Sequence, residues 1–401
     1  MQSILDHSEA NTDRAREPSP VFRLAHPHGS VENSRNDSRD LANFNFLRTV
    51  AVSLVFVDHL TAAADIRGLG AIGRLGVLIF FVHTSLVLML SMGRLRLTGF
   101  RLYCIFLARR VFRIYPLSIL AVLAVVIFRI PAVSGAGGLD WIGWPAFFSN
   151  IFLTQNLTHS KSIDFLWSLP FEMQMYLVLP ALFLLLSRFP SLKVAALVLL
   201  LGTAIASAEW DLQGGTAGID FLLARYAPCF LAGVFAWRMM ALKSRSLPGP
   251  LWILFLFVLV VAYRLVDALR VYGPSAFDPH HLEVRIDHGI WWPPFLDLAR
   301  DWIFCAATGV ALPLFREIRI GWLNGLSHKV ALYSYGIYAA HVPVLWVCFD
   351  LLHIGSLIVK GVISIALTAA LAILLYHFVE HPAIEFGKRF SSNLVGRAAF
   401  S

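Results

Sequence analysis

The sequence predicts an all-α protein, a polytopic transmembrane bundle of about ten helices with both termini cytoplasmic. Three observations carry that reading. Only 14% of the 401 residues are charged and 58% are hydrophobic, whereas a soluble domain carries about 25% charged residues. Apolar runs long enough to span a bilayer recur along the chain. Lys and Arg gather in every second connection between those runs. The formal net charge of +8 needs no nucleic acid as partner. Basic residues of membrane proteins collect in cytoplasmic loops and meet anionic headgroups, so membrane lipids are the expected counterpart.

Residues 1–40 are polar, rich in Asn, Ser, Arg and Asp, and lack the apolar core and cleavage site of a signal peptide. They read as a disordered cytoplasmic tail. A single transmembrane domain is expected over 41–390, followed by a short C-terminal tail, 391–401. Its spans fall near 44–64, 73–92, 110–130, 165–187, 192–208, 219–241, 250–269, 298–315, 330–352 and 356–379. The aromatic stretch 141–155 is short and interrupted by Pro145, which suits an interfacial or re-entrant segment, with an eleventh span as the alternative. With the N-terminus inside, about 23 of the 33 Lys and Arg face the cytoplasm. The long connection 270–297 is external and mixes aromatic with charged residues. Cys104, Cys229, Cys305 and Cys348 have no CxxC spacing, so they read as small buried hydrophobes, with no metal site and no disulfide framework.

Ionisable side chains at membrane depth are costly, so each one there is a functional candidate. In FNFLRTVAVSLVFVDHL, Arg48 lies near the cytoplasmic end and Asp58 and His59 lie further along. Three helical turns separate Arg48 from His59, which places them on nearly one face, about 16 Å apart. A donor with an anionic tail and a distant reactive end would suit that spacing. A lone intramembrane histidine is more often a packing residue; Arg48 in register and Asp58 beside it favour chemistry here.

Glu172, in FLWSLPFEMQMYLVLP, is expected about two turns below the outer surface, near the depth of His59. A carboxylate there would fix the imidazole's tautomer and raise its basicity; pairing with Arg225 or a backbone amide is the structural alternative. Arg109, Arg110 and Arg113, in FLARRVFRIYP, fall within about one turn. They make either a compact anion-binding cluster or ordinary positive-inside anchoring. Arg225 is left inside a span and His341 lies near the middle of the ninth run, so both are candidates for an acceptor-side or structural polar site. His83 and His377 read as packing or interfacial residues.

Taken in order, these segments resemble one family. The first run shows Arg-x10-His as Arg48 and His59, and the second reads GVLIFFVHTSLVLML. Then follow ARRVFRIYP, WSLPFEMQMYLVLP with Glu172, and RYAPCFLAGVFAW with Arg225, Pro228, Phe230 and Gly233. The chain closes with YSYGIYAAHVPV, holding His341, and FVEHPAIEFGKR, holding Glu380. The sequence from Phe44 to Phe390 resembles the membrane-bound acyltransferase-3 family, the O-acyltransferases that decorate polysaccharides, Nod factors and macrolides. Each motif alone is weak; their order along one polytopic chain is specific. His83, Thr84 and Ser85 depart from the family's Leu-Ser-Gly, so packing is expected to differ there. By its length the sequence is expected to lack the periplasmic hydrolase-like domain fused in some members.

The resemblance implies an O-acyltransferase whose co-substrate is cytoplasmic acyl-CoA, acetyl-CoA by default, with no bound cofactor. It implies that the donor's phosphates meet Arg109, Arg110, Arg113 and Arg48. His59 would act as base or carry the acyl group, with Asp58 or Glu172 orienting it. The acceptor would be a carbohydrate or glycoconjugate hydroxyl, the setting a bacterial inner membrane, and any acyl-handling partner in the periplasm a separate protein. The principal rival is a secondary transporter using the same buried His, Glu and Arg, against which the lack of an internal repeat counts.

Overall fold

The computed structural model describes residues 42–66, 71–131, 141–160, 163–212, 223–242, 245–273, 295–352 and 355–397. The tail 1–40 and most of the connection 270–297 lie outside the described residues. Twelve α-helices follow one another in the described chain. They are α1 (Ala42–Ala63), α2 (Ile72–Leu95), α3 (Gly99–Phe128), α4 (Trp144–Ile151), α5 (Leu169–Arg188) and α6 (Leu192–Leu212). After these come α7 (Leu223–Leu242), α8 (Pro250–Tyr272), α9 (Phe295–Ala311), α10 (Gly321–Trp346), α11 (Leu357–Leu375) and α12 (His381–Arg397). The protein is therefore all-α.

Among the described residues, eight helical segments are long and apolar enough to cross a membrane. α7 and α9 occupy the remaining two expected positions, but each carries polar cargo. Arg225 and Arg238 lie in α7. α9 has 17 residues and opens with Asp297, Arg300 and Asp301. α4 is eight residues long, about 12 Å, which cannot span a hydrocarbon core of about 30 Å. α3 has 30 residues, about 45 Å, so one end projects beyond that core.

The helices sort by which faces they bury. α2 is buried along most of its length and lies at the centre: Leu75, Leu78, Ile79, Phe81, Val82, Leu86 and Met89 are all buried. α6 and α11 instead expose Leu200, Leu201, Ile205, Ile358, Val362 and Ile365, as outer helices solvated by lipid do. The departure at Ser85 is absorbed by its neighbour. Ser85 Oγ donates to the carbonyl of Phe230 on α7 at 2.6 Å. A Cβ on Gly233 would lie 2.1 Å from that oxygen, so the glycine that makes room is on α7 rather than α2.

Asn43 fastens the start of α1 to the segment after α9. Its Nδ2 donates to the Arg316 carbonyl at 3.0 Å, and its Oδ1 accepts from the Ile318 amide at 3.0 Å. A π-helical turn, Tyr376–Glu380, joins α11 to α12. Such turns wind looser than an α-helix and often sit at functional sites. Here the turn directs buried Glu380 inward.

Candidate functional site

α1 runs unbroken from Ala42 to Ala63, so Arg48 and His59 keep their register, about 16 Å apart along one face. α2 lies against it through two glycines. A Cβ on Gly76 would come within 2.5 Å of the Ala51 carbonyl, and one on Gly73 within 2.7 Å of Asp58 Oδ2. Only a residue without a side chain lets the helices close on the Asp58 carboxylate.

Three cavities follow one another along this pair. The outermost has Arg48, Arg94, Arg110, Arg113, His328 and Glu380 in its wall. The middle one shares Arg48, Arg110 and Arg113 and adds Glu172, Tyr176 and Tyr338. The innermost is lined by Asp58, His59, Arg74, Phe165, Trp167 and Tyr338. Arg48, Arg110 and Arg113 form the walls common to the first two. Tyr338 is the wall common to the last two, and its hydroxyl shares a 2.9 Å hydrogen bond with Ser168 Oγ.

The arginine cavities have an unusual polar balance. Buried polar groups are nearly always hydrogen-bonded, yet the buried Nε atoms of Arg48 and Arg110 have no hydrogen-bond partner among the described residues. Glu380 is 1% exposed, and Arg113 Nη2 lies 3.8 Å from its Oε1. Glu172 Oε2 accepts from the Tyr176 hydroxyl at 2.8 Å. The guanidinium groups of Arg48, Arg94, Arg110 and Arg113 thus stand around the cavities with two carboxylates among them, and donors remain for an anion. Planar guanidinium forks suit phosphate.

At the inner end, the rings of His59 and His341 meet edge to face with centroids 4.9 Å apart. His341 is buried. Its Nδ1 lies 2.7 Å from the Tyr338 carbonyl, and a carbonyl can only accept, so Nδ1 carries the proton. That leaves Nε2 as a buried acceptor with no hydrogen-bond partner among the described residues.

The expected site residues therefore divide into groups. Asp58, His59 and His341 come together. Arg48, Arg110, Arg113 and Glu172 come together in the next cavity, so Glu172 stands with the arginines and not in the His59 cavity. Arg109 lines neither arginine cavity: its Nε donates to Ser391 Oγ on α12 at 3.0 Å. Arg225 lies with its guanidinium over the Tyr226 ring at 5.8 Å, and its carbonyl accepts from Trp302 Nε1 at 2.8 Å.

Four participants escape a reading of the sequence alone. Tyr338 and Ser168 carry no charge to mark them. His83 lines both arginine cavities, although its apolar surroundings suggest packing. Arg74 pairs with Asp301 at 2.7 Å in a buried network that includes Arg300, Asp267 and Tyr263. The only signal for that network is charge at the ends of apolar runs.

The family model described as an acyltransferase domain, Acyl_transf_3, matches residues 41–377, and the chain belongs to that family. No curated protein and no solved structure gives a match.

Proposed function

We propose that this member of the acyltransferase-3 family moves an acyl group, acetyl by default, from acyl-CoA to a hydroxyl of a carbohydrate-type acceptor such as a cell-surface or exported polysaccharide. The observation that carries the reading is Tyr338, which walls both the arginine-lined cavity and the His59 cavity. An anionic donor entering among Arg48, Arg110 and Arg113 thus has its reactive end directed at an imidazole. We place ten spans in a bacterial inner membrane with both termini cytoplasmic. That orientation puts about 23 of the 33 Lys and Arg inside and opens the Glu380 cavity toward the cytoplasmic donor.

The chemistry asks for a base, a polarised carbonyl and a leaving thiolate. The His59 imidazole takes the proton from the acceptor hydroxyl as its oxygen attacks the thioester carbon. The tetrahedral adduct then collapses, the C–S bond breaks, and the imidazolium returns its proton to the departing thiolate. Asp58, next in the chain and held under Gly73, stabilises the transient imidazolium. His341 packs against the ring and limits its rotation. Glu172, among the arginines and bonded to Tyr176, shapes the donor cavity. Arg109 braces α12 through Ser391 and contributes to the donor site only by holding that helix.

The test uses membranes containing the protein, labelled acetyl-CoA and surface glycan. Label on the glycan with the wild type, and none with a folded His59→Ala variant, is the expected result. Full transfer by that variant would sink the assignment. Substrate counterflow without any covalent label would instead favour a carrier, and mass spectrometry of surface glycans from cells with and without the protein identifies the acceptor.

A further inference from the structure

His83 is a polar side chain lining both arginine cavities that the reaction above leaves unused. It stands in the apolar run GVLIFFVHTSLVLML of α2, where an imidazole contributes less to packing than the leucine its neighbours suggest. The residue is 6% exposed, and no described residue hydrogen-bonds its ring. What it does face is the wall common to the outermost and middle cavities, together with Arg48, Arg110 and Arg113.

Its depth follows from helix geometry. α2 runs antiparallel to α1, with Gly73 against Asp58 and Gly76 against Ala51. His83 is seven residues beyond Gly76, two turns and about 10 Å further toward the Arg48 end, on the face of α2 that meets α1. It is therefore level with Arg48 and far from His59. An imidazole that lines a cavity beside three guanidinium groups, and that no described residue hydrogen-bonds, is matched by a group that accepts several hydrogen bonds at once. The thioester and its amide-bearing arm have few acceptors; phosphate has many.

We infer that His83 is a donor-recognition residue: its ring N–H donates to a phosphate of the acyl-CoA held by Arg48, Arg110 and Arg113. The inference rests on the acyl-CoA reading and goes beyond it by naming which part of the donor this residue reads. It also explains the position's chemistry, since a leucine there would line the same cavity without offering a donor.

The experiment compares His83→Leu with wild type on two donors, acetyl-CoA and S-acetylpantetheine, which has the same thioester arm and no phosphate. The expected result is a KM for acetyl-CoA raised about ten-fold, as for one lost hydrogen bond to a charged group, with kcat within two-fold. The KM for S-acetylpantetheine should stay unchanged. His83→Gln, which restores an N–H donor, should recover most of the affinity. Thermal unfolding of each variant in detergent checks that the fold is intact, and titration of the whole protein with CoA gives the binding loss independently of turnover. Equal KM changes on both donors, or no change on either, would overturn the assignment of His83 to phosphate. A wild-type protein that transfers acyl groups from neither donor would instead overturn the acyltransferase reading itself.

Discussion

The hydroxyls of Ser168 and Tyr338 share a 2.9 Å hydrogen bond in the wall between the Glu172 cavity and the His59 cavity. Both residues are buried. In the proposed reaction a thioester moving from the arginines to His59 passes along this wall. Ser168→Ala and Tyr338→Phe should each destabilise the protein by about 1 kcal/mol. The double variant should fall short of the sum by a measurable coupling energy. Thermal unfolding in detergent reads the coupling, and strict additivity would show that the bond contributes nothing.

The His341 ring supports His59 from the side, with Nδ1 anchored on the Tyr338 carbonyl. His341→Ala should lower kcat by about 10²-fold, the low end of what a misplaced general base costs. The KM for acyl-CoA should hardly move, because the arginines lie in the adjoining cavities. A variant that raises KM with kcat intact would place His341 in donor binding instead.

Arg110 and Arg113 face the cavities, whereas Arg109 is tied to Ser391. Arg110→Ala and Arg113→Ala should each raise the KM for acyl-CoA about ten-fold or more, the cost of a charge-assisted contact. Arg109→Ala should leave that constant within about two-fold and act through the docking of α12, detectable as faster proteolysis of the C-terminal helix. Steady-state kinetics of the three variants side by side separates donor contact from helix bracing.

Asp58 sits against the bare Cα of Gly73. Gly73→Ala would put a methyl group 2.7 Å from Oδ2, forcing the carboxylate or the helices to shift at a cost of about 1–3 kcal/mol. Transfer should fall while membrane insertion persists. Normal kcat in this variant would mean that the position of Asp58 does not matter to the reaction.

Beyond His59, Arg74 and Asp301 pair at 2.7 Å, and Asp301 is 3% exposed. Asp301→Ala would leave both Arg74 and Arg300 without that carboxylate, a loss of about 3–5 kcal/mol for a buried ion pair. Arg74→Met combined with Asp301→Leu should recover part of that stability, because it also removes the Arg74 charge, while Arg300 keeps its pairing with Asp267. Thermal unfolding that ranks the double variant below the single one would refute the account.

Much of the fold is legible in the amino-acid order because lipid permits few ways to satisfy a backbone. A run such as residues 250–269 has to become a helix wherever it packs, and helices lie over each of the expected spans. Arg48 and His59 belong to this class too, since both stand on one helix and its pitch alone sets their separation. The motifs from Arg48 to His341 likewise carried the family by their order. α7 and α9 are the exceptions in the membrane count. Their helices form, but Arg225 and Arg238 lower the hydropathy of α7, and α9, which opens with Asp297, Arg300 and Asp301, has only 17 residues and is too short to be counted as a span.

What only the tertiary structure decided is which side chains on different helices meet. Glu172 and His59 were expected at one depth, and their separation into adjoining cavities depends on Tyr338 of α10 coming between α1 and α5. His83 became a cavity residue, and Arg109 left the cluster for Ser391, through contacts between segments remote in the chain. Pitch and lipid solvation act within one helix and are written in local order. Rotation and spacing between helices come from close packing at points such as Gly76 against Ala51 and Gly233 against Ser85. No single run of residues contains both halves of such a contact.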